Sequence, residues 1–109
     1  MAMVVNRFDV YLINLDPAIG SEIQKARPCL IISPDEMNRF LQTIVIAPVT
    51  STSKTYPTRI PIKQGKTKGW VVLDQLRTID RRRIVKAVGT LNAKEIIRLK
   101  GVMKETFVD

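Results

Sequence analysis

Short runs of β-forming residues, separated by turn-formers, recur along this chain of 109 residues. Some runs alternate between apolar and polar residues and others are brief apolar stretches, as in half-buried and buried strands. Several short strands in one small domain predict a barrel. A single domain, residues 1–109, is expected because cores of this size rarely divide. The predicted strands cover residues 8–15, 29–32, 43–49, 58–62, 70–73 and 84–88.

Two segments carry the signals that begin helices. Residues 33–36 have the arrangement of a capping box, so Ser33 is predicted to cap a short helix that ends near Leu41. Residues 92–95 form a second start, which opens a C-terminal helix. That helix carries an apolar stripe, predicted to be a core or dimer contact: Ile96, Leu99, Met103 and Phe107, with Val102 and Ile97 at its sides. The fold class is therefore mainly β with helices (α+β).

The charge of the chain is positive and unevenly placed. Lys and Arg number 18 against 10 Asp and Glu, which gives a formal net charge of +8. Such a surplus attracts polyanions through phosphate neutralisation and counterion release. The alternative is a charged face that only keeps the protein in solution. Residues 39–68 contain basic side chains and no acidic one: Arg39, Lys54, Arg59, Lys63, Lys66 and Lys68.

Histidine is absent and Cys29 is the single cysteine, which excludes several chemistries. The chain has no histidine-based acid–base pair, no histidine metal ligand and no Ser/His/Asp triad. It cannot form an intramolecular disulfide, a zinc site is disfavoured, and neither a metal nor a cofactor is expected. Because Cys29 lies within an apolar run, it is predicted to be a buried, inert thiol.

The sequence predicts no membrane segment. Residues 1–7 lack the long apolar stretch of an export signal, and no apolar run approaches the roughly 18 residues that span a bilayer. We therefore expect a cytoplasmic protein with no membrane partner.

The loop at residues 16–28 lies between the first two predicted strands. Asp16-Pro17 and Gly20-Ser21 are turn-forming pairs, and Glu22 and Arg27 are charged side chains in a segment too polar for a core. Because loops held between strands often carry binding and catalytic groups, this loop predicts the edge of an active site. The alternative is an ordinary turn in which Arg27 is a surface charge.

Three motifs follow one another along the chain: Arg27-Pro28 before an apolar strand, Ala47-Pro48-Val49-Thr50, and Asp74-Gln75-Leu76-Arg77-Thr78-Ile79. In these motifs, and from the first strand to the last helix, the chain resembles the MazF/PemK (Kid) family of toxin mRNA endoribonucleases. The resemblance implies a small SH3-like antiparallel barrel of the MazF/CcdB type with a C-terminal helix. It also implies sequence-specific, metal-independent cleavage of single-stranded mRNA by 2′-hydroxyl attack, which leaves 2′,3′-cyclic phosphate and 5′-hydroxyl ends.

The resemblance implies partners as well. The protein is expected to be a homodimer, neutralised by an acidic MazE-like antitoxin, within a type II toxin–antitoxin module that arrests translation and growth. A basic surface that binds ligands is also suited to an acidic disordered segment that folds on binding.

Matched to the family motifs residue by residue, Arg27 and Thr50 are the catalytic pair. Arg27 would stabilise the charge that develops on the phosphate, since its planar guanidinium binds two oxygens at once. Thr50 would donate a hydroxyl hydrogen bond to the same phosphate. A guanidinium is a poor base at neutral pH, so our hypothesis is that Glu22 takes the 2′-hydroxyl proton or orients Arg27. The alternative for Glu22 is a carboxylate that only orders the loop.

Other side chains are predicted to contact RNA. Tyr56 is the candidate for base stacking, with Lys54 and Arg59 beside it on phosphate, whereas Trp70 is assigned to the core because it begins an apolar run. Asp74 either contacts RNA or anchors its loop, and Gln75 and Arg77 have the same two alternatives. The predicted RNA-binding set is Ser21, Lys25, Lys54, Tyr56, Arg59, Asp74, Gln75 and Arg77.

Two rival functions remain at this point. A CcdB-like toxin that inhibits gyrase would share the fold and need no Arg/Thr pair, and a noncatalytic nucleic-acid-binding module would need only the charge. The chain also departs from the family pattern at four positions. Ser21 stands where some members have histidine, and Ala26 stands where many members have glycine before the arginine. Val72 stands where some members have arginine, and Phe8 stands where a glycine before Asp9 is frequent.

Overall fold

The computed structural model describes residues 4–15, 26–51, 58–64 and 67–108, and the structural statements below concern those residues. The strands are β1 (Asp9–Asn14), β2 (Ala26–Ile31), β3 (Thr43–Thr50), β4 (Arg59–Gln64), β5 (Thr67–Val72), β6 (Arg77–Asp80) and β7 (Ile84–Thr90). The helices are α1 (Asp35–Phe40) and α2 (Ala93–Met103), and α2 continues into a π-helical segment, Lys104–Val108. Short 3-10 turns cover Leu73–Gln75 and Arg81–Arg83.

The described strands form one curled antiparallel sheet in the order β4-β5-β3-β2-β1-β7, and β6 pairs with the first half of β3. β3 is central because it pairs with β6 near its start, with β2 along its middle and with β5 at its end. The two edges of the sheet approach each other where Gly89 of β7 lies against the Gln64 side chain of β4. The expected small antiparallel barrel with a C-terminal helix is confirmed, in the form of a half-barrel.

The two faces of the sheet bury separate apolar cores, and β3 contributes to both. Ala47 and Val49 belong to the first core, which α2 covers through Leu99. Ile44 and Ile46 belong to the second core, on the opposite face. Because successive side chains of a strand point to opposite faces, this alternation identifies the face of every residue paired with β3.

α2 begins with the capping box predicted at residues 92–95. The Asn92 side chain accepts a hydrogen bond from the Glu95 N–H at 2.8 Å, and the Glu95 carboxylate accepts one from the Asn92 N–H at 3.0 Å. The same carboxylate accepts a hydrogen bond from the Lys63 N–H of the edge strand β4 at 2.9 Å. Glu95 therefore joins the start of α2 to the edge of the sheet.

The apolar stripe predicted for the C-terminal helix packs against the first core along α2, whereas Phe107, beyond α2, does not reach that core. Leu99 is buried, and Ile96, Val102 and Met103 pack against the first core. After α2 the chain forms a π-helix, which changes the number of residues per turn and moves Phe107 off the stripe. Phe107 is accordingly 52% exposed. Ile97, which was predicted to lie at the side of the stripe, faces solvent.

Ser33 does not cap α1, so the capping box predicted at residues 33–36 is wrong. Pro34 is the N-cap residue, and the helix start has no side-chain cap. The Ser33 hydroxyl is buried, where it donates to the Asn38 side chain and accepts from the Val45 N–H at 3.1 Å. Ser33 therefore joins α1 to β3. The predicted helix end is confirmed, because Leu41 is the C-cap residue.

Three parts of the sheet differ from the strands predicted from the sequence. β2 begins at Ala26, so residues 26–28, which the sequence assigns to a loop, belong to the strand. β6 is not among the predicted strands, because Ile79 is its one buried residue and the strand has no apolar run. β5 begins at Thr67, so residues 67–69, which the sequence assigns to a loop, belong to the strand.

Phe8 has a backbone conformation that glycine adopts more readily. Its φ is 72°, and in this left-handed region a side chain costs about 1–2 kcal/mol. The ring packs against the first core and lies 4.8 Å from the Arg7 guanidinium carbon and 5.7 Å from Lys100 Nζ. These contacts offset the strain of the Phe8 backbone.

Candidate active site

An open cleft of about 400 Å³ lies where the start of β2, the end of β3 and the start of β5 meet. β2 contributes the predicted catalytic arginine, Arg27, and β3 contributes Thr50. The complete set of lining residues is Arg27, Pro28, Val49, Thr50, Ser51, Thr67 and Lys68. Arg27 and Thr50 belong to separate sequence motifs, and the structure brings them into one cleft.

The register of the central strands explains why Arg27 and Thr50 meet. β2 and β3 pair with Cys29 opposite Pro48. Two residues further along the same register, Arg27 lies across from Thr50. Residues opposite each other in an antiparallel pair share one face of the sheet, so both side chains project on the face that carries the second core. The apolar residues of that face end here, and the polar cleft begins.

Gly69 allows β5 to approach the end of β3 closely. A Cβ atom on Gly69 would lie 2.5 Å from the Thr50 carbonyl oxygen and 2.9 Å from Val49 Cγ1. Both distances are too short for any side chain, and the first is to backbone, which cannot rotate away. Gly69 is therefore required for the strand contact that supports Thr50.

The cleft is positively charged. Arg27 and Lys68 are exposed cations on two of its sides, and no carboxylate is among its lining residues in the described part of the chain. Arg77 lies on the same face of the sheet, since it pairs with Ile46 of β3. Cations and a hydroxyl in one cleft suit an anion with several oxygens, such as a phosphodiester.

Cys29 lies beneath this surface and takes no part in its chemistry. The thiol is fully buried, as predicted, and burial raises its pKa to about 12 although the Arg77 and Arg27 cations oppose the shift. Its Sγ–H donates to the Arg27 carbonyl oxygen at 3.4 Å. A thiol that stays protonated at neutral pH is not a nucleophile, so Cys29 has a packing role.

Arg59 and Asp74 form an ion pair outside the lining of the cleft. The Asp74 Oδ1 atom lies 3.7 Å from Arg59 Nε and accepts a hydrogen bond from the Thr58 hydroxyl at 3.0 Å. The Thr58 carbonyl in turn accepts from the Leu73 N–H at 3.1 Å. These contacts fasten the start of β4 to the turn after β5. Asp74 therefore anchors its loop, which is one of its two predicted roles.

The other predicted RNA-binding residues divide into two groups. Gln75, in the 3-10 turn, and Arg77, at the start of β6, are exposed and do not line the cleft. The remaining predicted residues lie outside the described part of the chain, as does the proposed general base: Ser21, Glu22, Lys25, Lys54 and Tyr56.

The assignment of Trp70 to the core is wrong. Trp70 is only partly buried, and it pairs with Thr50 across the β3–β5 ladder. Its neighbours Val71 and Leu73 supply the first core from β5 and the following turn. Trp70 therefore occupies the opposite face, which it shares with Thr50 and Lys68. The sequence signal was the apolar run itself, which does not tell which member of the run faces away from the core.

The described residues form neither a metal cluster nor a membrane helix. In these ranges, no three His, Cys, Asp or Glu side chains come together in a way that could hold a metal ion. None of the helices formed by these residues is long and apolar enough to cross a membrane.

The curled half-barrel and its positively charged cleft define a small β domain whose candidate site lies at the ends of three strands. Comparison with known families identifies the lineage: the chain belongs to the PemK-like, MazF-like toxins of type II toxin–antitoxin systems, whose family model matches residues 6–107.

Curated relatives cover most of the chain. Endoribonuclease EndoA of Bacillus subtilis is 36% identical over 97 residues, which are 83% of each chain. Endoribonuclease MazF of Staphylococcus epidermidis is 30% identical over 106 residues, which are 92% of this chain and 88% of the relative.

Solved structures show the same fold. The chain is similar to MazF from Deinococcus radiodurans with a TM-score of 0.80 at 24% identity, over 99% of this chain and 100% of that one. A structure of MazE–MazF from the same organism gives a TM-score of 0.80 at 25% identity, over 95% of this chain and 96% of that one.

Proposed function

We propose that this protein is the toxin endoribonuclease of a type II toxin–antitoxin module and that it cleaves single-stranded mRNA in the cleft between β2, β3 and β5. The observation that carries the proposal is that Arg27 and Thr50 line one open cationic cleft. The family to which the chain belongs and the endoribonuclease names of its relatives support the same activity.

In the proposed reaction the 2′-hydroxyl oxygen forms a bond to the adjacent phosphorus, and the bond from phosphorus to the 5′-oxygen breaks. The departing oxygen takes the electron pair and a proton, so the products are a 2′,3′-cyclic phosphate and a 5′-hydroxyl. Negative charge grows on the non-bridging phosphate oxygens. Arg27 stabilises that charge with its planar fork of donors, and Thr50 donates its hydroxyl hydrogen to the same phosphate. No step requires a metal ion.

The proton of the 2′-hydroxyl needs an acceptor. Arg27 stays protonated at physiological pH and is a poor base, and Lys68 is a second cation at the cleft. We propose that Glu22 is this acceptor or, in the alternative, that Glu22 orients Arg27. Glu22→Gln should lower the single-turnover rate if the carboxylate takes the proton, and Glu36→Gln, an exposed change on α1, is the matched control. A normal rate in Glu22→Gln would end the base proposal.

Substrate binding extends beyond the cleft in this proposal. Arg77 shares the face of Arg27 and can neutralise a neighbouring phosphate. Arg59 would exchange its contact with Asp74 for a phosphate when RNA binds. Gln75 is exposed beside this pair and is proposed to contact RNA together with Asp74. Other contacts are assigned to Ser21, Lys25, Lys54 and Tyr56.

The proposed partners follow from charge and family. An acidic, disordered segment of a MazE-like antitoxin would occupy the cationic surface and exclude RNA, in keeping with the solved MazE–MazF relative. The toxin is proposed to act as a homodimer in the cytoplasm, where free toxin cleaves mRNA and arrests translation and growth.

The activity is tested by incubating the purified protein with a long unstructured RNA in EDTA, followed by mapping of cut sites and end groups. We expect discrete cuts with 2′,3′-cyclic phosphate and 5′-hydroxyl ends, and loss of cutting in Arg27→Ala. Arg98→Ala, which removes an exposed arginine of α2, is the control for lost charge. Gyrase inhibition with intact RNA would support the CcdB-like alternative, and RNA binding without cleavage would support a noncatalytic module.

A further inference from the structure

The strand pairings align four residues in one row across the sheet. Pro61 of β4 pairs with Trp70 of β5, and Trp70 pairs with Thr50 of β3. The β2–β3 register, extended by two residues, completes the row with Arg27. Paired residues share a face, so the indole lies beside the residues that line the cleft.

Trp70 is partly buried and belongs to neither apolar core. The first core takes Ile60 and Ile62 from β4 and Val71 from β5, and Trp70 projects from the other side of those strands. Two of its neighbours on this face are exposed, Pro61 in the paired strand and Lys68 two residues away, whereas Thr50 is partly buried and Val72 is buried. The large aromatic surface is thus kept partly open between a cation and the proposed catalytic threonine.

We propose that Trp70 is a base-stacking residue, which binds a nucleobase adjacent to the phosphate held by Arg27 and Thr50. This inference rests on the proposed function. Adjacent strands are about 4.8 Å apart, so the indole begins one strand spacing from Thr50. A nucleotide whose phosphate contacts Thr50 can therefore lay its base on the ring. Stacking on an aromatic face is the usual way in which proteins hold unpaired bases.

Lys68 supports the base-stacking role of Trp70, because its position suits the next phosphate along the RNA. It lies two residues before Trp70 on the same face of β5 and is paired with Lys63, which is also exposed. The row through Lys68 and Lys63 is about 6.4–6.8 Å from the Trp70 row, the repeat of two residues in a strand. An aromatic platform followed by a cationic row is the arrangement that binds single-stranded nucleic acid.

A purely structural role for Trp70 is the competing explanation. Val72 is buried although it lies on the same face, so the indole could serve only to cover it. The two roles differ in what RNA does to the tryptophan. Stacking changes the environment of the ring when RNA binds, whereas a covering role leaves it unchanged.

Fluorescence can read this difference directly because Trp70 is the single tryptophan of the chain. After a cut site has been mapped on a long RNA, a short oligonucleotide spanning it is made with a 2′-deoxy nucleotide at the scissile position, so that it binds without cleavage. We expect strong quenching at saturation, which disappears when one of the two bases flanking the scissile phosphate is replaced by an abasic site. Unchanged fluorescence in a complex that anisotropy of labelled RNA shows to be saturated would overturn the inference.

Cleavage kinetics provide the second test. Base stacking is worth about 1–3 kcal/mol, so Trp70→Val should lower kcat/KM by about 5- to 150-fold and Trp70→Phe should recover most of the loss. Valine keeps the strand preference of the site. Phe40→Val is the matched control, because it removes an aromatic ring that is 84% exposed. Phe40 ends α1, which precedes the start of β3, whereas Trp70 pairs with the end of β3.

The outcomes separate this inference from the function on which it rests. Folded Trp70→Val protein that cleaves at the wild-type rate would overturn the stacking role and leave the endoribonuclease intact. If Trp70→Val does not fold, the quenching experiment on wild-type protein decides the question. Wild-type protein that leaves every RNA intact would overturn the proposed function, and the stacking role with it.

Discussion

The Thr50 hydroxyl stands at the end of β3, where it lines the cleft together with Arg27. Removing one preorganised donor to a developing oxyanion typically costs about 10²–10³ in kcat. We therefore expect a loss of that size in Thr50→Val, which keeps the β-branched shape, and a much smaller loss in Thr50→Ser, which keeps the hydroxyl. Single-turnover cleavage of the mapped oligonucleotide measures both. Equal rates in Thr50→Val and wild type would remove Thr50 from the mechanism.

Cys29 gives a pH-dependent prediction. Burial raises the pKa of its thiol from 9.0 to about 12, so the unfolded chain loses this proton before the native chain does. Between those pH values the unfolded state binds fewer protons, and the free energy of unfolding falls as pH rises, by up to about 1.4 kcal/mol per pH unit.

Urea unfolding of wild type and Cys29→Ala from pH 8 to 11 isolates this effect, because other groups titrate in both proteins. The wild-type stability should fall more steeply with pH. Parallel curves would show that the thiol is not protected from ionisation by the fold.

At the scale of elements, the contact between β3 and β5 depends on one glycine. Gly69→Ala would place a methyl group 2.5 Å from the Thr50 carbonyl oxygen. The strands must separate, so we expect destabilisation of about 1–3 kcal/mol, the usual cost of overpacking, together with loss of cleavage because Thr50 moves.

Gly101→Ala is the matched control for that change. Gly101 lies within α2, and a methyl group added there would meet no other atom within 4 Å. Alanine in a helix interior is favoured over glycine by roughly 0.5–1 kcal/mol. Thermal unfolding should show opposite signs for the two alanine variants. Stabilisation by Gly69→Ala would contradict the close approach of β5 to β3.

The sequence predicted elements well where a local pattern marks them. The capping box at Asn92 and Glu95 is formed, because both partners are within one helical turn. Ser33 has the same kind of local signal, but its hydroxyl binds Asn38 and Val45 in the folded chain. β6 has one fully buried residue, and its pairing with β3 is a long-range contact that no local pattern encodes.

At the scale of the whole molecule, the site is a product of strand register. Motif resemblance predicted Arg27 and Thr50 as a pair, yet only the β2–β3 register shows that they share a face. Lys68 and Trp70 were out of reach of sequence reasoning for the same reason. Their strand pairs with the end of β3. This pairing places Lys68, predicted in a loop, on the lining of the cleft, and Trp70, predicted in the core, opposite Thr50.

The excess of positive charge predicts that RNA binding weakens with salt. Each phosphate neutralised on a single strand contributes a slope of about −0.7 in log K against log salt. Lys68→Ala should reduce the magnitude of the slope for the noncleavable oligonucleotide by about that amount, because Lys68 lines the cleft. Lys104→Ala, beyond the end of α2, should leave it unchanged. Equal slopes in wild type and Lys68→Ala would place Lys68 outside the RNA path.

The most direct test of the proposed mechanism is a double-mutant cycle on Arg27→Ala and Thr50→Val. The rate of single-turnover cleavage is measured for each protein in EDTA at saturating protein. Arg27 and Thr50 line one cleft, and if both act on one phosphate their effects are coupled. We predict that each variant loses about 100-fold or more in rate, and that the double variant loses far less than the product of the two losses. Losses that multiply, or an Arg27→Ala protein that cleaves at the wild-type rate, would contradict a shared phosphate site.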